Sequence, residues 1–380
     1  MNSFSLTQVG ALPTVGTMTP PARSPLILTG TLLFGLCIAS GLAAQTPDVI
    51  LLKDFHPKSI FKIPETRVEK ARYPTIDVHS HDYGRTDAEV DGWVATMDAV
   101  GLEKTVILSG ATGAKFDSTI KRYGRHPRRF EVWCGLDYTS LDQPGYGPAA
   151  VAELERCHQA GARGVGELSD KGRGLGGTTN RPGMHMDDPR MDSLLEKCAE
   201  LHMPVNIHVG EDRWMYEPMD ARNDGLMNAW KWRVPNEPAV LQHDEVVDTL
   251  ERAVAKHPRT IFIACHFANC CSDLGRLAAM LDKYPNLNAD MGARFSEIAP
   301  IPRYMARFFQ TYQDRLLYGT DMTPEAEMYR VTFRILETED EHFYPAYFSN
   351  YHWPFYGFGL PDGILKKIYR ENASRILDHP

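Results

Sequence analysis

The sequence predicts an α/β protein in which eight parallel strands close into a barrel surrounded by helices, a (β/α)8 or TIM barrel. After residue 72, short apolar runs alternate with amphipathic segments as far as the C-terminus, which is the pattern of a parallel sheet. The runs number eight, and eight strands close such a barrel. The chain has 380 residues and is 43% hydrophobic, so it can bury the core of a fold that takes about 250 residues.

The apolar runs and the amphipathic segments give the order of the elements. The predicted strands cover residues 75–79, 105–108, 130–136, 164–168, 205–209, 261–266, 287–290 and 316–318. Helices are predicted at 87–100, 148–160, 192–201, 244–256 and 274–283, several of them ended by turn signals such as Gly101 and Gly161. An open, doubly wound sheet is the alternative architecture, but no glycine-rich phosphate-binding fingerprint follows the first strand.

One connection is much longer than the others. Residues 211–242 follow the fifth strand and contain Trp214, Tyr216, Trp230 and Trp232. Loops of this length without periodicity are usually active-site lids or disordered segments. Disordered segments are poor in aromatic residues, so we expect residues 211–242 to form a lid.

The N-terminal region has the pattern of a secretory signal. Residues 26–44 are uncharged and mostly apolar, follow Arg23, and end in small residues. We therefore expect a signal peptide at 1–44, a linker at 45–72 and the barrel domain at 73–380, in a protein exported to the periplasm or outside the cell. A segment of this length can also just span a bilayer, so anchoring by an uncleaved segment is the alternative. After cleavage, no stable membrane association is expected.

Charge and cysteine content limit the expected partners. The formal net charge is -8 and no long run of Lys or Arg occurs, so nucleic acid is not an expected partner. A small-molecule substrate is expected, and assembly into a homo-oligomer stays open. Several cysteines lie in apolar runs, as buried free thiols usually do; pairing of the vicinal Cys270 and Cys271 stays open.

Residues that can bind a metal stand at the ends of the predicted strands. The first strand carries His79 and His81, and alternation predicts both on one face together with Asp77. Others close or follow later strands, namely Glu167, His208, His266 and Asp321. The carboxyl ends of barrel strands meet at one mouth, where enzymes with this fold build their active sites. These residues are therefore candidates for one metal site.

This pattern resembles the metal-dependent amidohydrolase superfamily, in the branch of proteins similar to aminocarboxymuconate-semialdehyde decarboxylase. The resemblance covers residues 73–380, including the segments 257–266 and 372–377, where Asn372 is expected to cap a helix. It implies that the metal is bound by His79, His81, His208 and Asp321, and that His266 lies beside the substrate. Some relatives use a carboxylate on the fourth strand as a further ligand, so Glu167 is either a ligand or a residue that orients one.

Each candidate has an expected chemical role. Imidazoles and a carboxylate suit Zn²⁺, although other first-row divalent ions are accepted by such donors. Asp321 is expected to take the proton of a metal-activated water, and His266 to donate to a substrate oxyanion. Four loop residues are expected to bind substrate, or else to be ordinary solvated or packed loop residues: Lys171, Arg213, Trp214 and Arg294.

Three functions follow from this site. The first is hydrolysis of an amide, ester or lactone of a small organic substrate by a metal-activated water. The second is non-oxidative decarboxylation of an unsaturated or aromatic carboxylic acid, which the branch resemblance suggests. The third is a non-catalytic exported binding protein that uses the barrel mouth for recognition.

Overall fold

The computed structural model describes residues 46–143 and 146–378. The predicted signal peptide at 1–44 lies outside the described residues. Residues 46–49 form a turn that belongs to a separate N-terminal unit, and all of the helices and strands below lie between residues 50 and 378. No helix in the described part of the chain has the length and apolar composition needed to cross a bilayer.

Eight parallel strands form the barrel, in the order that the apolar runs predict. They are β1 (Thr75–Ser80), β2 (Leu102–Leu108), β3 (Phe130–Trp133), β4 (Val165–Asp170), β5 (Val205–Val209), β6 (Phe262–Ala264), β7 (Leu287–Asp290) and β8 (Leu316–Leu317). Strands β1 to β3 pair in order, and so do β4 to β8. Backbone hydrogen bonds join the two sets. The N–H of Gly166 donates to the carbonyl of Cys134 (2.8 Å), and the N–H of Val78 donates to the carbonyl of Tyr318 (3.0 Å). The barrel prediction is therefore confirmed.

The helices surround this barrel. They are α1 (Asp87–Val100), α2 (Gly113–Tyr123), α3 (Tyr146–Gln159), α4 (Asp192–Glu200), α5 (Leu226–Trp232), α6 (His243–Lys256), α7 (Leu274–Lys283), α8 (Phe295–Ile298), α9 (Pro302–Thr311), α10 (Ala326–Glu337), α11 (Asp362–Lys366) and α12 (Asn372–Leu377). Helix α1 has the predicted bounds because Thr86 and Glu89 form a capping box at its start. Gly101, with a φ of 86°, ends it in the left-handed conformation.

The alternation predicted for β1 is wrong. Ile76 and Val78 pack in the inner apolar layer of the barrel with residues such as Leu317, so they point inward. The pairing of β1 with β2 is irregular between Asp77 and Ser80. Because of this irregularity, His79 also enters the barrel mouth, although simple alternation would place it on the face opposite Val78.

Two smaller expectations concern Asn372 and the cysteines. Asn372 makes no capping bond; its side chain donates to the carbonyl oxygens of Gln313 (2.7 Å) and Leu316 (2.8 Å) and ties α12 to the start of β8. The expected cap is therefore wrong.

All six cysteines in the described part of the chain are buried free thiols, including Cys270 and Cys271.

Candidate metal centre

The mouth of the barrel brings six of the predicted residues together. They are His79, His81, Glu167, His208, His266 and Asp321. His81 Nε2 lies 2.8 Å from Asp321 Oδ1. His208 Nδ1 lies 2.9 Å from Glu167 Oε1 and 3.0 Å from His266 Nε2. His79 Nε2 lies 3.7 Å from both Glu167 Oε1 and Asp321 Oδ1.

The outer hydrogen bonds of the four rings determine which ring nitrogens face the centre. Carbonyl and carboxylate oxygens only accept, so the nitrogen beside each must carry the proton. His79 Nδ1 donates to Asp290 (2.9 Å) and His81 Nδ1 donates to the Leu108 carbonyl (3.0 Å). His208 Nε2 donates to the Gly210 carbonyl (2.7 Å), and His266 Nδ1 donates to the Gly292 carbonyl (2.6 Å). A neutral ring would then have a lone pair on its inner nitrogen, but His81 Nε2 lies 2.8 Å from Asp321 and His208 Nδ1 lies 2.9 Å from Glu167, so the inner nitrogens share either protons or a cation with these carboxylates.

This arrangement requires a positive charge at its centre. The inner nitrogens of His208 and His266 face each other at 3.0 Å, and two lone pairs at that distance repel unless a proton or a cation lies between them. His79 Nε2 is fully buried and has no hydrogen-bond partner among the described residues. Buried polar atoms are rarely left unpaired. A divalent metal ion fits these donors, because neutral imidazoles and carboxylates are metal ligands.

The pKa shifts of the site also favour a positive charge at its centre. Burial disfavours the charged form of His79, but the carboxylates of Asp290 and Asp321 outweigh it and raise its pKa to about 10. Burial opposes ionisation of Asp321, but the surrounding histidines hold its pKa below the ordinary value. Burial, followed by the charge of Arg294, lowers the pKa of His266 to about 4. The carboxylates are therefore ionised, and without a metal ion His79 holds the positive charge that they attract; a bound cation would replace its proton.

Two backbone features aim the side chains. His266, Phe267, Ala268 and Asn269 lie in the left-handed region, with φ between 54° and 59°, which is unfavourable for residues that carry a Cβ. We call these four residues the left-handed turn; it turns the His266 ring toward the mouth. Gly319 leaves room for His79, because a Cβ there would lie 2.8 Å from His79 Cβ.

A cavity of about 560 Å³ opens over the centre. His208, His266 and Asp321 line it, and so do Lys171 and Arg294, two of the predicted substrate-binding residues. Arg213 and Trp214 instead line a different cavity of about 470 Å³. Arg213 pairs with Asp244 (2.5 Å) at the start of α6, and the Trp214 ring packs against Trp353 at 6.0 Å. Their expected role in substrate binding has no support from this placement.

The family model described as Amidohydrolase matches residues 69–378. The chain belongs to the amidohydrolase family. A solved 2,6-dihydroxybenzoate decarboxylase from Rhizobium is similar to this amidohydrolase at 17% identity and a TM-score of 0.51, over 80% of this chain and 99% of that one. A TIM-barrel protein from Bordetella bronchiseptica is similar at 15% identity and a TM-score of 0.51, over 80% and 98%. At these identities the likeness shows the fold alone. The search of curated proteins found no match.

Sequence reasoning missed two carboxylates of the amidohydrolase. Asp290, at the end of β7, is fully buried and accepts from His79 Nδ1 and from the backbone N–H groups of His266 (3.0 Å) and Gly292 (2.9 Å). It thus orients two rings of the centre. Glu211 is buried between Lys171 and Arg294 and pairs with both. Asp290 had a sequence signal, because it ends a predicted strand as His208 does.

Two segments contribute side chains to the wall of the cavity of the amidohydrolase. The predicted lid, 211–242, contains α5 and contributes Met215, Asn228 and Trp232 to the cavity wall. The second segment was not predicted and contributes residues 347–350. The two segments are joined, because Asn228 Nδ2 donates to the hydroxyl of Tyr351 (3.0 Å). This part of the cavity wall therefore comes from two distant parts of the chain, and the lid role of residues 211–242 stays a prediction.

Proposed function

We propose that this chain is a metal-dependent hydrolase that cleaves an amide, ester or lactone bond of a small organic substrate. The observation that carries the proposal is that the inner nitrogens of four imidazoles lie together with two carboxylates beneath an open cavity. Such a set has no role in packing. It matches the ligands that activate water in hydrolases of this kind.

Zn²⁺ is the ion that we propose for the site, held by His79, His81, His208 and Asp321, with Glu167 as a further ligand. All of these residues offer nitrogen or oxygen donors of the type that Zn²⁺ accepts. A Zn²⁺ ion at such a site supplies Lewis acidity and can lower the pKa of a water to about 7.

Asp321 is the group that we propose for proton transfer. Its side chain is 23% exposed and faces the cavity, while Oδ1 lies 2.8 Å from His81 Nε2. Because its pKa is held low, the carboxylate is ionised and can accept a proton from the attacking water at Oδ2, then deliver it to the leaving group.

The proposed role of His266 differs from the expected one. Its Nδ1 proton is donated to the Gly292 carbonyl, so the neutral ring has no proton on Nε2 to give to a substrate oxyanion. Nε2 instead faces Glu167 Oε1 at 3.4 Å. We therefore propose that His266 contributes a lone pair to the centre. Donation to the substrate falls to Lys171 and Arg294, which reach the cavity as cations.

The decisive experiment is metal analysis of the purified protein, followed by a screen of amides, esters and lactones with and without chelator. We expect bound divalent metal, activity that chelation abolishes, and oxygen from labelled water in the product. A folded protein that binds no divalent ion would refute the proposal.

Decarboxylation of an unsaturated or aromatic carboxylic acid is the second candidate. The specific observation in its favour is that Trp232, Tyr347 and Phe348 give the cavity an aromatic wall near the cationic Arg294, which suits an aromatic ring with an anionic group. A decarboxylase with this fold is among the similar structures. Release of carbon dioxide from a panel of carboxylic acids, without incorporation of labelled oxygen, would select this reaction.

The third candidate is a metal-independent binding protein. Replacing His79 by Ala would leave ligand binding by such a protein intact, whereas either enzyme would lose turnover.

For localisation, we propose export directed by residues 1–44, with membrane anchoring as the alternative. The intact mass of the exported protein distinguishes cleavage from retention of this segment.

A further inference from the structure

Two groups of candidate ligands overlap in the barrel mouth. The upper group is His79, His81 and Asp321, and the lower group is His79, Glu167, Cys265 and His266. Within each group, the candidate ligand atoms all lie within 4.8 Å of one another. The lower group contains a sulfur donor that neither the sequence pattern nor the proposed function uses.

Cys265 lies directly after β6, beside His266. Ile263, two residues earlier, packs in the inner layer of the barrel, so alternation turns Cys265 inward as well. The thiol is fully buried and donates to Asn206 Oδ1 (2.8 Å). Cys198, in contrast, is a buried cysteine of the outer layer, among residues that pack between helices and strands. The two thiols have similar burial and different surroundings.

A second observation also indicates a ligand at this place. His79 Nε2, a member of the lower group, is fully buried and lacks a hydrogen-bond partner among the described residues. Glu167 Oε1 is 3.7 Å from it and 3.4 Å from His266 Nε2. An unpaired nitrogen, a carboxylate and a thiol therefore lie within one small volume.

We propose that Cys265 is a thiolate ligand at the base of the centre, and that with Glu167 and His266 it forms a position selective for a thiophilic divalent ion such as Zn²⁺ or Cd²⁺. Soft thiolate ligands favour such ions over Mg²⁺ or Mn²⁺. On binding, the S–H bond breaks, its proton passes to solvent, and the sulfur lone pair forms the bond to the ion; no electron is transferred.

This inference rests on the proposed function, because it requires that the centre binds metal. It adds a donor that the hydrolytic mechanism does not need. Cys265→Ser is a suitable variant, since a serine hydroxyl can keep the hydrogen bond to Asn206 but is not a soft donor. Cys198→Ser is the matched control, because it removes a buried thiol that belongs to neither ligand group.

The test is X-ray absorption spectroscopy of the wild-type protein loaded with Zn²⁺ and, separately, with Cd²⁺. We expect a sulfur neighbour of zinc at about 2.3 Å in addition to nitrogen and oxygen neighbours at about 2.0–2.2 Å. The sulfur signal should persist in Cys198→Ser and vanish in Cys265→Ser. Cd²⁺ affinity of Cys265→Ser should fall by more than the roughly 10- to 100-fold that loss of a supporting contact produces.

Nitrogen and oxygen neighbours alone in both wild-type samples would overturn the proposal for Cys265 and leave the hydrolase proposal standing. Absence of bound metal would overturn both. If Cys265→Ser does not fold, the two wild-type spectra decide the question without it.

Discussion

The two ends of the barrel interior are built on opposite principles. At the end opposite the mouth, Ile376 of α12 belongs to one buried apolar cluster with Ile76 and Val106, all at most 3% exposed. At the mouth, the interior instead holds imidazoles and carboxylates, with the buried Asp290 behind them. Burial of apolar side chains stabilises the fold, whereas burial of charged groups opposes folding unless they are paired. The residues that stabilise the fold and the residues proposed for metal binding therefore lie at opposite ends of the barrel interior.

The largest expected effect is at the mouth. His79→Ala removes the central donor, so we expect loss of tightly bound metal and of turnover, with the barrel still folded. Metal content and the circular dichroism spectrum measure the two properties. His126→Ala is the control, because His126 pairs with Asp91 on the surface. If His79→Ala bound metal like the wild type, His79 would not be a ligand.

A substitution at the apolar end of the barrel should lower stability and leave metal binding unchanged. Ile376→Ala leaves a void in the inner layer, and we expect the free energy of unfolding to fall by about 2–5 kcal/mol with metal content unchanged. Denaturant unfolding of the metal-free protein measures this. Ile301→Ala, at a site that is 40% exposed, should change stability little. If Ile376→Ala and Ile301→Ala lowered the free energy of unfolding equally, the apolar end of the barrel would not be a main source of stability.

Asp290→Asn tests whether the hydrogen bond from His79 Nδ1 to Asp290 prepares His79 for metal binding. An amide NH₂ group placed against His79 Nδ1 cannot accept its proton, so the ring shifts to the tautomer that has a proton on Nε2 and cannot bind metal there. We expect metal affinity to fall by about 10- to 100-fold, measured by competition with a chelating dye. Asp98→Asn, on an exposed carboxylate that pairs with Arg129, should leave affinity unchanged.

The smallest expected effect depends on pH. Burial raises the pKa of Glu297 from 4.5 to about 7, although Arg294 and Tyr351 oppose the shift. Between these two values the folded protein binds a proton that the unfolded chain has lost, so this group's contribution to stability falls as pH rises through that window. Glu297→Gln keeps the hydrogen bond from Tyr351 (2.8 Å) and cannot ionise.

We therefore expect Glu297→Gln to gain stability relative to the wild type as the pH rises from 5 to 8. Unfolding of both metal-free proteins across this range measures the difference. A difference that does not vary with pH would show that Glu297 titrates normally.

The sequence was sufficient to predict the barrel and the candidates that converge at its mouth. Strand ends can be read from apolar runs, and the fold itself brings those ends together. This is why His208 and Asp321, more than 100 residues apart in sequence, were both found. Period-two alternation failed in β1, because the irregular pairing near His79 depends on neighbouring strands rather than on local pattern.

Contacts that depend on the folded loops could not be predicted. Glu211 looks like an ordinary loop charge in the sequence, and only the folded loops bring Lys171 and Arg294 to it. The second wall segment, 347–350, has no periodicity that distinguishes it from other connections. The same limit applies to Arg213 and Trp214, whose position after β5 is compatible with several loop paths.

The left-handed turn has a consequence for directed evolution. Each of its four residues adopts a conformation that costs about 1–2 kcal/mol when a Cβ is present, while glycine would adopt it at little cost. Selection for heat resistance alone should therefore favour Ala268→Gly, and selection for turnover should not, because a relaxed turn would hold the neighbouring His266 less firmly. Laboratory lineages under the two regimes should therefore differ at this position.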